Sequence, residues 1–581
     1  MASPDALNSP RIRFIDMQYI FRQPLAILLP AFALLLTLPG CGGLGKMEKA
    51  IEELNLQMDP EPLVLRGDEV QLNLSGTFPA KYFAKKAIIE ATPVLVWDGG
   101  EAAFEMQGFQ GEDAAGNYTV VPSKTAKSFD YTAKVPYQEG MEDGARLELR
   151  ISGVMGSKSM DFEPVVLGDG VITTQNWVRS DDRFVLGGDA FQRIVSYTEE
   201  AEIHYAYNRS NVRSAELRDD DIVALKEFIG FAADHDSVML KGTSVSAYAS
   251  PEGEITLNED LAMERAESAN AAVARMLRRE KIEVEDGFYG NNPKGEDWDG
   301  FQTLMRASEI EDKDLILRVL SMYSDKNRRE EEIKNIAKTY KEIEKEILPA
   351  LRRSMITLRY DIEGYTDEEL TDLAMSNPDI LTVEEALYAA TLFESNDDQL
   401  KVYQAASRVH ADDWRGPNNE GVVLMAMGKL NQAADRFMAA DERGDSPVIN
   451  NNLGAVARMK GNLSDAKRFL GSASGAGDAV KYNKGILAIQ EGNYSQAISN
   501  FSGENTVNAA LAKLLNGDAN GAKTILDNSG DDGAVAHYVM AICYAHVGND
   551  AEAKRHRDLA VQRDAGLSGK ASADLEFRDL D

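Results

Sequence analysis

The feature that most constrains this chain is a short phrase that recurs near its C-terminus: Gly428-Lys-Leu-Asn-Gln-Ala433, Gly461-Asn-Leu-Ser-Asp-Ala466, Gly492-Asn-Tyr-Ser-Gln-Ala497, Gly517-Asp-Ala-Asn-Gly-Ala522 and Gly548-Asn-Asp-Ala-Glu-Ala553. The glycines lie 33, 31, 25 and 31 residues apart. Glycine permits a tight turn between two helices, and alanine inside the second lets it pack closely on its neighbours. One such unit cannot bury its apolar face alone, so the phrase requires a stack of helical hairpins, with one shortened repeat at the 25-residue step. Thr366 with Glu369 and Thr382 with Glu385 form capping-box pairs that open two helices ahead of the phrase, which places the start of the all-helical part at residue 366.

Residues 366–581 resemble tetratricopeptide repeats in period, glycine turn and small inner residue. That resemblance implies a solenoid with a concave groove for extended or helical segments, and therefore an unknown protein partner at the groove. A purely architectural array is the other reading.

At the opposite end, Leu25 to Leu38 is an uncharged stretch, preceded by Arg22 and followed by Pro39, Gly40 and Cys41. It falls short of the roughly 20 apolar residues that span a bilayer and has the form of a cleaved leader. Residues 1–40 resemble a bacterial lipoprotein signal, with Met17 as a possible true start. The resemblance implies that Cys41 becomes an acylated N-terminus, carrying palmitate among its chains, and is the only covalent group expected. An ordinary secretory signal with an incidental cysteine is the alternative. Residues 41–60, beginning Gly42-Gly-Leu-Gly-Lys46, are expected to be a tether. They lack the acidic run that often marks surface-exported lipoproteins of Bacteroidetes, which points to the periplasmic face of the outer membrane.

Residues 61–175 alternate apolar and polar positions, as at Val70, Leu72 and Leu74 and at Leu147, Leu149 and Ile151, with Gly and Asp/Asn clusters between. Period two and frequent turns predict seven or eight strands in a sandwich of immunoglobulin type, serving as spacer or docking module.

In residues 195–365 a strand at 201–208, a helix over 219–231, a strand at 237–247, a helix from about Thr256 to Leu277 and a last strand at 355–362 make an α/β unit. A helical insertion is expected at about 290–349, ending in a charged helix striped by Ile333, Ile336, Tyr340, Ile343 and Ile347. Tyr248, Gly253, Asn258, Leu261, Arg265 and Ala266, with Arg352-Arg353 before the last strand, resemble the OmpA-like peptidoglycan-binding family. That family holds the diaminopimelate of a stem peptide between an Asp and an Arg fifteen residues apart. Here Ser250 and Arg265 have that spacing, and Glu252 is the nearby carboxylate. The resemblance implies wall-binding candidates Ser250, Glu252, Asn258, Arg265 and Arg353, with Arg265 suited to fork onto a carboxylate. An internal ion pair at Arg265, with the fold kept and the ligand lost, is the competing reading.

The formal charge of −33 excludes nucleic acid or anionic lipid binding through a general basic surface. Two cysteines, Cys41 and Cys543, offer no disulfide framework. The six histidines have no metal-ligand spacing, and neither a P-loop nor a GxSxG motif is present, so neither a metal nor an enzyme is expected. The whole reads as an envelope lipoprotein that bridges the outer membrane to peptidoglycan and scaffolds a partner. The alternative is an accessory factor for a secretion system or adhesin, its OmpA-like domain binding protein.

Overall fold

A computed structural model describes residues 43–580. They form two compact units: one holds the chain up to Val178 with Ile489–Tyr494 and the stretch from Asn505 on, the other Arg179–Ala488 with Ser495–Glu504.

The first unit opens with helix α1 (Leu44–Lys49), which drives Leu44 and Met47 into the core of a β-sandwich. Residues 44–54 are therefore docked structure, not the expected tether, because a leucine, a methionine and Leu54 are buried at that spacing. Eleven strands follow: β1 (Gln57–Arg66), β2 (Glu69–Phe78), β3 (Ala87–Trp97), β4 (Gly100–Ala103), β5 (Gln107–Gly111), β6 (Thr119–Val121), β7 (Lys127–Pro136), β8 (Arg146–Met155), β9 (Lys158–Asp161), β10 (Val165–Asp169) and β11 (Val171–Ile172). One sheet has the order β11-β1-β2-β7, the other β10-β8-β3-β5-β6 with β4 and β9 on its edges. Their inner positions, Leu65, Leu72 and Val135 from one and Leu95, Trp97 and Leu147 from the other, share a core. Most pairs are antiparallel, but β1 with β11 and β5 with β6 are parallel.

In the second unit, β12 (Ile194–His204), α2 (Asp220–Asp234), β13 (Val238–Ala249), α3 (Ile255–Arg279), β14 (Tyr289–Glu296), and β15 (Arg353–Glu363) after the insertion, build a sheet of order β12-β15-β13-β14. Ile222, Leu225 and Ile229 of α2 and Ala266, Ala269, Val273 and Leu277 of α3 share its core. Leu257 is exposed, since α3 turns its alanine row to the sheet. The expected insertion began too early: residues 289–296 are the edge strand β14, paired in parallel with β13. The inserted helices are α4 (Trp298–Ala307), α5 (Lys313–Met322), α6 (Lys326–Lys334), α7 (Ala337–Glu346) and α8 (Leu348–Leu351). The single charged helix is in fact two, broken at Asn335 and Ile336, yet Ile333, Ile343 and Ile347 enter one core with Trp298 and Phe301.

Both expected capping boxes are formed, opening α9 (Asp367–Ser376) and α10 (Val383–Thr391). Then come α11 (Asn396–Val409), α12 (Arg415–Ala426), α13 (Leu430–Asp441), α14 (Pro447–Met459), α15 (Leu463–Ser472), α16 (Asp478–Gln490), α17 (Tyr494–Asn500), α18 (Val507–Leu515), α19 (Ala519–Ser529), α20 (Ala534–His546), α21 (Asp550–Arg563) and α22 (Ser568–Ala573). Gly428, Gly461, Gly492, Gly517 and Gly548 all have φ between +71° and +87°, the left-handed turn that the repeated phrase demands. Ala433, Ala466, Ala497, Ala522 and Ala553 are all 0% exposed, so the small residue is where close packing requires it. These are the helical hairpins that the repeated phrase requires.

Candidate functional site

The repeats carry an asparagine that the periodicity reading overlooked. Asn419, Asn452, Asn483 and Asn508 each lie nine residues before a repeated glycine, and all are buried; the fifth repeat has Val539 there. A carboxamide carries both an acceptor and donors, so it can satisfy the N–H and C=O of one residue at once. In the second unit three of them do this to the chain's own linker. Asn483 accepts from Arg183 N at 2.8 Å and donates to Arg183 O at 2.9 Å. Asn452 treats Val185 in the same way at 2.9 and 2.8 Å, and Asn419 treats Gly187 at 2.7 and 3.0 Å.

Every second residue is gripped, so the segment presents its main chain as a strand does to its neighbour, in the direction opposite to the order of the repeats. Asn451 and Asn418 reinforce the row, donating to Arg183 O and Val185 O and linking the other asparagines, as in Asn452 Nδ2 to Asn418 Oδ1 at 2.9 Å.

The side chains between these points are also held. Asp182 receives a fork from Arg458 with both side chains at most 1% exposed, which leaves no room for water between them. Arg183 forks onto Glu504 at 2.7 Å through both terminal nitrogens and lies over the Tyr482 ring. The Phe184 ring is parallel to that of Phe437 at 5.9 Å, and Phe191 stacks on Tyr388 at 4.4 Å. At Gly187 a Cβ would lie 2.7 Å from Arg415 Cγ and 3.0 Å from the Trp414 ring, so glycine alone fits. Arg415 in turn forks onto Glu384 and holds its carboxyl below the ordinary range.

The expected wall-binding residues gather, but as a closed cluster. Arg265, on α3, is 1% exposed and donates to Tyr248 O at 2.8 Å and Arg209 O at 3.1 Å; burial lowers its pKa to about 10. Glu252 is paired with Arg352 at 2.7 Å, and Ser250 bonds to both of these side chains. Asn258 donates to Glu252 O and to Glu296. Arg353 stands apart, paired with Asp297 at 3.0 Å beside the Tyr248 ring. The insertion reaches this loop, Glu330 of α6 accepting from Gly253 N at 2.6 Å.

Cys41 lies outside the described residues. Cys543 is buried, which pushes its thiol up to about 12. Among the described residues no group of three or more His, Cys, Asp or Glu is placed to hold a metal, and no helix is long and apolar enough to cross a membrane.

No protein-family model and no curated protein matches the sequence. Solved structures with similar regions include tetratricopeptide repeat proteins. The Cut9–Hcn1 hetero-tetramer of the APC/C is 13% identical, with 57% of this chain and 76% of that one covered, at a TM-score of 0.31. A tetratricopeptide repeat protein from Parabacteroides merdae is 12% identical over 36% of this chain and 91% of its own, at 0.28. The pilF protein of Pseudomonas aeruginosa is 14% identical over 37% and 99%, at 0.29.

Proposed function

We propose that the protein is a non-enzymatic envelope scaffold, anchored to the outer membrane by lipid on Cys41 and facing the periplasm, whose repeat groove engages extended polypeptide by its main chain. The asparagine row on Arg183, Val185 and Gly187 carries this reading, because paired N–H and C=O contacts at alternate residues are chemistry for a strand. The segment that fills the groove is the chain's own, so the first thing the array scaffolds is its own α/β domain. Arg193 donates to Tyr365 O and Gly364 N donates to Arg193 O, joining the entry and exit of that domain side by side.

The test uses a synthetic peptide spanning residues 180–191 with two chains, wild type and Phe184→Asp. Binding to the variant, whose linker is weakened, and exclusion from the wild type are expected. A folded variant that ignores the peptide sinks the reading.

Within this scaffold the sandwich is read as immunoglobulin-like and the α/β domain as OmpA-like. The sheet order β12-β15-β13-β14, with two helices on one face, and the meeting of Ser250, Glu252, Asn258 and Arg265 support the latter. Wall bridging through that cluster is the second reading. It requires Arg265 to exchange two carbonyls for a ligand carboxylate, whereas an accessory role in secretion or adhesin assembly leaves the cluster closed. Co-sedimentation with purified sacculi separates them. Retention by wild type that is lost in Arg265→Ala supports wall binding, and a gain in Ser250→Asp locates the amine contact. Absence of retention leaves the accessory role.

A further inference from the structure

The two ends of the β-sandwich carry opposite charge. Register fixes which loops share an end: Phe78 pairs with Lys127, Ala87 with Met155, Ile88 with Gln110 and Gln57 with Ser75, so the 79–86 and 122–126 loops and the β8–β9 turn lie together, with α1 beside them. Gly43 confirms the placement, since a Cβ there would lie 2.9 Å from Met155 Sδ and 3.4 Å from Ala84 Cβ, and Tyr82 donates to Met47 O.

The 79–86 loop holds Lys81, Lys85 and Lys86 and no acid. The next loop adds Lys124, tied to the first through Lys81 N to Ser123 O at 2.8 Å, and Lys158 opens β9. Lys46 and Lys49 are exposed on α1. Of the neighbouring acids, Glu112 is paired with Lys85 at 2.8 Å, which leaves Asp113 beside the loops and Glu48, Glu52, Glu53 and Glu163 on and beside α1. At the far end the β1–β2, β3–β4 and β7–β8 connections hold Asp68, Asp98, Glu139, Glu142 and Asp143 and no lysine or arginine.

A chain of −33 is repelled by an anionic surface only over distances at which its charges are felt. At physiological ionic strength that distance is about 8 Å, so the lysines nearest a surface outweigh the acids of distant domains. Cys41 precedes Gly43 by two residues, a reach of at most roughly 7 Å. A membrane attached there lies against this end of the sandwich.

We propose that the lysine end of the sandwich rests on a bilayer of anionic phospholipid, with Lys81, Lys86, Lys124 and Lys158 meeting the headgroups. This rests on the reading of Cys41 as the membrane anchor and specifies what the anchor holds against the surface. Each lysine at such a surface strengthens association roughly fivefold.

The experiment takes the chain from residue 41 with Cys41→Ser, free of acyl groups, and sediments it with vesicles of phosphatidylcholine alone or with about 30 mol % phosphatidylglycerol. The expected result is co-sedimentation with the anionic vesicles alone, lost at about 0.5 M salt and reduced at least about tenfold in Lys81→Gln/Lys86→Gln/Lys124→Gln. Asp98→Asn at the far end leaves binding unchanged, and circular dichroism checks that each variant folds. Wild-type chain that ignores anionic vesicles, or that sediments equally with both kinds, overturns the proposal. The anchor is read separately, by the mass of the N-terminal peptide from membranes, so either idea fails without the other.

Discussion

Asn452 closes two hydrogen bonds onto Val185, a residue 267 positions earlier in the chain, and does so with a carboxamide that is 0% exposed. Asn452→Ala strands the N–H of Val185 and leaves its carbonyl only the bond from Asn418. An unsatisfied group of this kind costs about 1–3 kcal/mol, and we expect a loss of that size in denaturant unfolding. Trypsin should then cut the native variant after Arg183 far faster than it cuts the wild type. Equal cutting of the two would show that the row does not hold the linker.

Arg458 and Asp182 form an enclosed pair, and enclosed pairs respond asymmetrically to mutation. Arg458→Met leaves a carboxylate buried without its cation, at a cost of about 3–5 kcal/mol. Asp182→Leu in the same chain removes the stranded charge, and most of the loss should return. A double-mutant cycle in urea measures both; strict additivity would mean that the pair is not closed to water.

Gly187→Val forces a branched side chain against Arg415 and Trp414, whose atoms already stand 2.7 and 3.0 Å from a bare Cβ. Overpacking of this kind costs about 1–3 kcal/mol. Trp414 fluorescence should shift as the linker lifts, while Gly188→Val, with open space around its Cβ, should leave it unchanged.

The last repeats hold a pH-dependent contact. His556 stacks on Tyr544 and meets His537, Nδ1 to Nδ1, at 3.0 Å, while its Nε2 accepts from Arg555 at 2.7 Å. His537 in turn bonds Asp532, and Glu552 lies 3.9 Å from His556. Burial, then Arg555 and His537, lowers the pKa of His556 to about 4, against an ordinary value near 6.5. Between those values the unfolded chain binds the proton and the folded chain does not, so stability rises with pH across that window and is lost as pH falls through it. The full effect is at most about 3 kcal/mol. His556→Gln should flatten the dependence of urea midpoint on pH between about 6.5 and 4. An unchanged slope in that variant would assign the effect elsewhere.

What could be read in the sequence was what neighbouring residues decide. Gly428 and Ala433 announce a turn and a close approach through their own conformational freedom and size, and Thr366 with Glu369 announces a helix start. The fifteen-residue spacing of Ser250 and Arg265 brought the two into one cluster, but spacing carries no information on enclosure. Arg265 is shut in by the main-chain carbonyls of Tyr248 and Arg209, and Arg209 lies outside the motif. The strand β14 was missed because Gly290-Asn-Asn-Pro has the composition of a turn; as the edge strand it tolerates Pro293, which lacks a donor. The asparagine row was present in the sequence at constant phase to the glycines. Its occupant was not legible, because residues 180–191 have neither helical nor strand periodicity and their structure is imposed by groups far along the chain.

That separation has a kinetic consequence. The linker positions held by Asn419, Asn452 and Asn483 precede them by 232, 267 and 300 residues. During synthesis, or during threading across a membrane from the N-terminus, the linker therefore arrives long before any group that can hold it. The sandwich has all its strands by then, and the α/β domain can complete its sheet once β15 emerges. The linker between them stays an open strand, two apolar rings included, until the repeats appear. Contacts of such long sequence separation form late. Closure of the groove on residues 183–187 thus waits until the chain has reached Asn483, and a product truncated before that residue leaves the Arg183 end of the linker open to a protease.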